Sequence, residues 1–326
     1  MAFTVLILGG YGNFGSKIAQ RLALDNSIDL LIAGRNIDKA REFSLRLEKI
    51  SGRQCTALFL DTANANFSQT LANSGAQLLI HTSGPFQSQN YCVAEACINN
   101  GIHYIDLADG RDFVNNFSRL NEIAKNKEVL AVSGASSVPG LSSAVIDECF
   151  GDFSRLETLE YGISPGNKAE RGEATVAAIL SYTGHPFQRL ENGLPKNAYG
   201  WQNIFQHRFP EPMGKRWLAN CDIPDLSLFP QHYPTLKTIR FYAGLELPVL
   251  HLAMWGMSWL TRVGIISNWA RYASPITRLS RWFEHFGSDI GGMFMKLTGK
   301  DHTGNSLTIE WNLIAKQGDG PMIPTI

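Results

Sequence analysis

The sequence predicts an α/β chain: an N-terminal parallel sheet wound with helices on both faces, followed by an α+β domain. Three observations predict it. Residues 3–15 run from an apolar, β-rich stretch into Gly10-x-Gly12-x-x-Gly15 and then into helical periodicity. Short apolar runs alternate with amphipathic segments through the first 135 residues, and beyond Gly134 that alternation stops.

In chain order, the apolar runs are Val5–Gly9, Leu30–Ala33, Ala57–Leu60, Leu78–His81, Tyr104–Leu107 and Val129–Val132. Amphipathic segments lie between them near 14–25, 37–49, 65–74, 89–100 and 112–127. Short strands buried on both faces and separated by helices belong to a doubly wound parallel sheet. Right-handed crossovers then bring the strand C-termini, and the ligand, to one edge. After Gly134, Ser136-Ser-Val-Pro-Gly140 predicts a turn, 141–150 an apolar helix, Leu156–Ile163 a strand and Ala174–Tyr182 a helix. Residues 184–236, rich in Pro, Gly, Asn and aromatics, are expected to be irregular. Ile239–Leu247 alternates like a strand, two helices are expected within 249–286, and strands return at Met293–Leu297 and Leu307–Ala315. The expected domains are 1–135 and 136–326.

Composition narrows the function. The 326 residues give room for two domains, and Lys+Arg equals Asp+Glu at 29 each, so bulk charge makes no case for nucleic acid. The five cysteines are odd in number and lack Cys-x-x-Cys spacing, which with Met1 running almost directly into the first strand predicts reduced, buried thiols and a cytoplasmic location. His-Glu-x-x-His, paired-cysteine and Gly-x-Ser-x-Gly patterns are absent from the sequence, so no metal or serine-nucleophile site is expected.

The glycine motif carries the chemistry. Its order of strand, glycine turn and helix points to a dinucleotide, with the helix N-terminus facing the phosphates. Gly10 is expected to make the tight turn, Gly12 to admit the pyrophosphate and Gly15 to let helix and strand pack closely, with Tyr11, Asn13 and Phe14 completing the loop. A P-loop is excluded because Ser16-Lys17 reverses the required Lys-Ser/Thr order.

At the end of the second strand, Gly34-Arg35-Asn36 stands where an NAD site carries Asp or Glu. The guanidinium of Arg35 suits a 2′-phosphate and hence NADP. The alternative is a surface arginine in the next helix's first turn, with Asn36 as N-cap. Asp61 could accept from the adenine amino group or cap the helix after it. Ser83-Gly84-Pro85-Phe86 is expected to border the nicotinamide, with Pro85 and Phe86 fixing and covering the ring. His81 is expected as a satisfied core histidine rather than a proton donor. Asp106 and Asp109 either orient a substrate or hold a loop, and no catalytic proton donor stands out. Tyr233-x-x-x-Lys237 has a dehydrogenase spacing, but lies outside the nucleotide-binding half and contains Pro234, so it is read as coincidence.

Together Gly9-Gly-Tyr-Gly-Asn-Phe-Gly15, Ala33-Gly-Arg35, Gly84-Pro-Phe86, His103-Tyr-Ile-Asp-Leu107 and Ser137-Val-Pro-Gly-Leu141 resemble the saccharopine dehydrogenase-like oxidoreductases. The resemblance implies an NADP-binding Rossmann domain and an α+β domain for substrate or dimerisation, with the chain's last residues packing back on the first domain. It implies hydride transfer with a small-molecule substrate. Members act on saccharopine, on other amino acids through imines, and on long-chain enoyl lipid intermediates. Two departures stand out: the chain stops at Ile326, where such proteins commonly continue into another helix, and it lacks a clear arginine set for a carboxylate-rich substrate such as saccharopine. A catalytically silent NADP-binding sensor or scaffold is the reading from a different class.

Residues 247–283 stand apart. They hold four arginines and four tryptophans but no Asp or Glu. Pro248, His251 and Arg262 interrupt the apolar stretch, so a transmembrane helix is not expected. Three readings remain: two helices burying Trp and Leu in a core, an apolar substrate channel, or peripheral contact with an anionic membrane surface.

Overall fold

A computed structural model describes residues 2–87, 89–170 and 172–317. The chain divides into two compact units between Ser136 and Ser137. The first contains β1 (Phe3–Leu8), α1 (Asn13–Leu22), β2 (Ile28–Gly34), α2 (Ile37–Ser51), β3 (Thr56–Phe59) and α3 (Phe67–Ala72). It continues with β4 (Leu78–His81), α4 (Cys92–Asn99), β5 (His103–Asp106), α5 (Arg111–Asn115), α6 (Asn121–Asn126) and β6 (Ala131–Val132). Its six strands are all parallel in the order β3-β2-β1-β4-β5-β6.

That order follows from burial. β1 is central and its Val5, Leu6, Ile7 and Leu8 are all buried, so it needs cover on both faces. Ile18 and Ala19 of α1 and Ala40, Phe43 and Leu47 of α2 join Val5, Ile7, Leu30 and Ile32 in one core cluster. The strand order reverses between β1 and β4. In open sheets of this kind the ligand binds at such a switch point, outside the strand C-termini. The helix expected over 112–127 is instead three short pieces: α5, a 3-10 turn at Phe117–Leu120, and α6. Asn116 ends the first piece, donating from Nδ2 to the Asp112 carbonyl at 2.8 Å.

The second unit begins with a kinked turn at Ser137–Leu141, in which Val138 is extended, then α7 (Ser142–Phe150), β7 (Arg155–Ser164) and α8 (Glu173–Tyr182). Next come β8 (Pro186–Glu191), β9 (Leu194–Tyr199), β10 (Phe205–Arg208), β11 (Lys215–Asn220), α9 (Asp225–His232) and β12 (Thr238–Ala243). It ends with α10 (Pro248–Arg262), α11 (Ala273–Ser280), β13 (Gly291–Lys300) and β14 (Ser306–Ala315). A six-stranded mixed sheet has the order β10-β11-β12-β7-β13-β14, and β8-β9 forms a separate hairpin.

Residues 184–236 are therefore not irregular. Asn192-Gly193 closes the β8–β9 hairpin with φ of +53° and +79°, the two-residue turn that Asn-Gly favours. The first four residues of β9 are exposed, so no hydrophobic alternation marks the strand. Among the cysteines, all five are free, but Cys92 is exposed and Cys149 half-buried rather than buried. Tyr233 and Lys237 are engaged separately, the hydroxyl with Asp147 at 2.8 Å and the ammonium with Glu157 at 3.1 Å.

The segment 247–283 splits by face. His251, Met254 and Ser258 of α10 are buried, while Val249, Leu252, Trp255, Trp259 and Leu260 are exposed. Among the described residues no helix is long and apolar enough to cross a membrane. The chain end expected to pack back on the first domain, residues 318–326, lies outside the described residues.

Candidate nucleotide site

The loop after β1 is built by glycines with distinct duties. Gly9, not Gly10, makes the left-handed turn, with φ of +83°. The chain must reverse directly after Leu8, and Gly9 N–H reaches back to the Ala33 carbonyl at 2.8 Å. A Cβ on Gly9 would lie 2.5 Å from Ser83 Oγ and 2.8 Å from Thr82 Oγ1, so the end of β4 presses on the turn. Gly10 sits where a Cβ would be 2.9 Å from the Ile7 carbonyl and 3.1 Å from Ile32 Cγ2. At Gly15 a Cβ would meet the Gly9 carbonyl, and Gly10 Cα and Thr82 Oγ1 at 2.8 Å. Gly10 and Gly15 thus serve packing of the fold.

Gly12 differs. Among the described residues, its Cβ would meet only the Gly9 carbonyl, at 3.0 Å, so the space beside it is open. It is the N-cap of α1 in extended conformation and offers no side-chain hydrogen bond to the helix. The first turn, Asn13, Phe14 and Gly15, contains no acidic residue either. An uncapped helix start with an uncompensated positive end is the arrangement that receives a phosphate.

Tyr11 reaches across to β2. Its hydroxyl accepts the Asn36 backbone N–H at 3.0 Å, and its ring lies over Gly34, where a Cβ would sit 2.6 Å from the hydroxyl oxygen. The ring therefore occupies the place a carboxylate side chain at position 34 would need. Asn36 caps α2, its Oδ1 accepting from Lys39 N–H at 3.0 Å. Arg35 is exposed, and none of the ion pairs among the described residues involves it. Asp61 lies just past Leu60, whose N–H donates to the Gly34 carbonyl at 3.1 Å, and its Oδ1 accepts from Ala63 N–H at 3.1 Å. It holds a local turn and does not cap α3, whose N-cap is Asn66.

The loop after β4 is tied from behind. Thr82 Oγ1 donates to the Leu8 carbonyl at 2.9 Å. Gln89 Nε2 donates to the carbonyls of Ser83 at 2.7 Å and Pro85 at 2.9 Å, spanning a cis Gly84–Pro85 peptide. Phe86 is only 4% exposed and packs edge-on to His81 at 5.0 Å and against Phe113 at 5.4 Å. Its ring belongs to an aromatic cluster inside the unit, so Ser83, Gly84 and Pro85 carry the loop's open surface. Thr82 and Gln89 were not singled out in the sequence. A Thr directly after a strand and a Gln in a Pro-containing loop give no motif to find.

Behind this loop lies a buried polar chain. Tyr104 donates to Asp106 Oδ2 at 3.0 Å, which uses its single hydroxyl hydrogen. His81 Nδ1, 3.1 Å from the Tyr104 oxygen, must then be the protonated nitrogen of a neutral ring. Burial holds the His81 pKa down to about 4. Asp106 is fully buried, and its Oδ1 accepts from Ala108 N–H at 2.9 Å, Ser133 Oγ at 2.9 Å and Gly134 N–H at 2.8 Å. Burial raises its pKa, opposed by those four donors. With four donors on its two oxygens, Asp106 pins the loop after β6. Asp109 is exposed, and its Oδ1 accepts from Gln87 Nε2 at 3.1 Å. Of the two carboxylates it alone is open to a ligand.

Residues 5–132 match the family model described as the saccharopine dehydrogenase NADP binding domain. Among solved structures, the chain resembles the apo histidine-tagged saccharopine dehydrogenase (L-Glu forming) from Saccharomyces cerevisiae, with a TM-score of 0.67 at 14% identity. That likeness covers 99% of this chain and 89% of the yeast chain, and at such identity it speaks for the fold. A probable dehydrogenase from Thermotoga maritima gives a TM-score of 0.48 at 10% identity, covering 94% of this chain and 75% of the other. No curated protein sequence matches.

Proposed function

We propose, on the premise that residues 5–132 match the saccharopine dehydrogenase NADP binding domain, that the protein is an NADP(H)-dependent oxidoreductase. The open space at Gly12 beside the uncapped start of α1 carries the reading. Bound NADP supplies the hydride chemistry. The chain's own residues bind and orient: Gly12 and the α1 start take the pyrophosphate, and Arg35, beside a glycine that offers no carboxylate, takes the 2′-phosphate. Ser83 to Pro85, held by Gln89 and Thr82, border the nicotinamide. Asp109 with Gln87 is the polar pair offered to a substrate. The 137–323 unit carries substrate choice or pairing between copies.

The test is a turnover screen with NADPH across carbonyl, imine and enoyl compounds, alongside a binding titration with NADPH and NADH. Oxidation of NADPH by one compound class is expected. Tight NADPH binding with no turnover in any class would instead support the sensor reading. Failure to bind NADPH would overturn both.

A further inference from the structure

We propose that the outer face of α10 and the chain following it dock the protein on an anionic lipid bilayer. The proposal stands on the second unit alone and does not depend on the oxidoreductase reading.

Apolar residues line one face of α10. Val249, Leu252, Gly256, Trp259 and Val263 recur at spacings of three and four, which places them on one stripe of the helix. That stripe faces out: Val249 is 57% exposed, Trp259 41% and Val263 61%. Trp255 and Leu260 flank it, and Ile265, Leu279, Trp282 and Phe286 in the following chain are exposed as well. The opposite face is already occupied, with His251, Met254 and Ser258 buried and Trp269 Nε1 donating to the Met257 carbonyl at 3.0 Å. A helix that has its core contacts on one side and a Trp-bearing stripe on the other is two-sided. Scattered exposed apolar residues need no explanation, but a stripe along a whole helix does.

Charge selects the occupant. Residues 247–283 contain Arg262, Arg271, Arg278 and Arg281 and no Asp, Glu or Lys, within a chain of zero net charge. All four arginines are exposed. The flanking carboxylate Glu246 is withdrawn, with a side chain 8% exposed and paired with Arg216 at 2.9 Å. Glu284, directly after the segment, is exposed and marks its limit. Arg262 lies over the rings of Tyr199 and Trp259, at 4.0 and 5.0 Å, and its Nη1 donates to Gln202 Oε1 at 2.5 Å, which fixes the guanidinium beside the indole. A basic helix with exposed Trp and Leu lies in the headgroup plane, apolar face toward the acyl chains. At 15 residues α10 is about 22 Å long, short of the roughly 30 Å hydrocarbon core, so it lies on the bilayer rather than through it. A protein partner would be expected to meet these arginines with carboxylates of its own. The bilayer meets them with phosphates, and the Trp residues at the level where headgroup and acyl chain meet.

The experiment is flotation of the full chain with vesicles of phosphatidylcholine alone and with added phosphatidylglycerol. Expected are flotation with the anionic vesicles only, release by added salt, and a blue shift of Trp emission on binding. Arg278→Glu with Arg281→Glu should weaken binding by at least about fivefold for each charge removed. Trp282→Ser, at a site 76% exposed, should weaken it without touching the core, and an unchanged circular-dichroism melt of each variant checks the fold. Absence of flotation, or flotation indifferent to vesicle charge and salt, would overturn the proposal. So would a concentration-dependent dimer, seen by sedimentation velocity, that Trp259→Ser dissociates, because a second copy would then cover the face.

Discussion

Tyr11 and Gly34 are matched: the phenol ring lies where a side chain at 34 would begin, 2.6 Å from an added Cβ, and its hydroxyl holds the Asn36 N–H at 3.0 Å. The residue that discriminates between nucleotides in this kind of site is thus held empty by one from the glycine loop. Gly34→Ala should cost little stability, because the obstructing atoms are the far end of a half-buried side chain that can swing away. The loss should be near one hydrogen bond, about 0.5–1.5 kcal/mol. Tyr11→Phe should lose a similar amount, and the double variant should lose no more than either alone, since both break the same bond. Thermal melting of the four proteins checks this. Additive losses would show that the two residues are not coupled.

NADPH should raise the melting temperature more than NADH at equal concentration, since binding stabilises only the state that binds. Arg35→Ala should remove most of that difference. Loss of one or two charge-assisted hydrogen bonds, about 1.5–3 kcal/mol each, weakens NADPH at least roughly tenfold while leaving NADH nearly unchanged. Equal affinities of the unsubstituted protein for both cofactors would refute the assignment.

The glycines of the loop should separate fold from binding. Gly12→Val meets only the Gly9 carbonyl, at 3.0 Å, and should lower the melting temperature modestly without unfolding the protein while abolishing NADPH binding. Gly15→Val forces a side chain into Gly10 Cα and Thr82 Oγ1 and should destabilise by several kcal/mol, or prevent folding. Calorimetric titration beside circular-dichroism melts distinguishes the two. Normal NADPH binding by the Gly12 variant would leave the motif a structural turn.

The nucleotide-binding unit was largely legible in the sequence because its strands are buried on both faces and its glycines obey local backbone rules. Gly15 plays the packing part expected of it, whereas the turn fell to Gly9, one residue earlier than Gly10, because two adjacent glycines do not reveal which takes positive φ. Phe86 was read toward the cofactor, but the aromatic cluster that draws it inward is assembled from Phe113, Tyr91 and Phe117, all distant in sequence. The second unit was harder. Polar, exposed edge strands such as β9 carry no alternation, and only Asn192-Gly193 betrayed the hairpin. For 247–283, composition showed the asymmetry, but whether Trp259 faced inward or outward depended on what α8 and Trp201 buried against the other side of α10.

Asp225 should make the second unit less stable as pH rises toward neutrality. Its carboxylate is fully buried in a core; Oδ2 receives Ser142 Oγ at 2.5 Å and Tyr161 at 2.8 Å, while Oδ1 has no hydrogen-bond partner among the described residues. Burial pushes its pKa up to about 7 from an ordinary 3.8. The folded state then holds a proton that the unfolded state releases between about pH 4 and 7, so stability from this group is present below that window and lost through it. A shift of that size corresponds to roughly 4 kcal/mol. Buried His251, with its pKa lowered to about 4, acts in the opposite sense, losing stability as pH falls from about 6.5 toward 4. Parent and variant share that histidine, so their difference isolates Asp225. Asp225→Asn keeps an oxygen for both hydroxyl donors and removes the titration. Its urea midpoint relative to the parent should therefore climb steadily from pH 4 to pH 7.5. A gap between the two that stays constant with pH would mean the carboxylate is charged throughout and stabilised by its two donors alone.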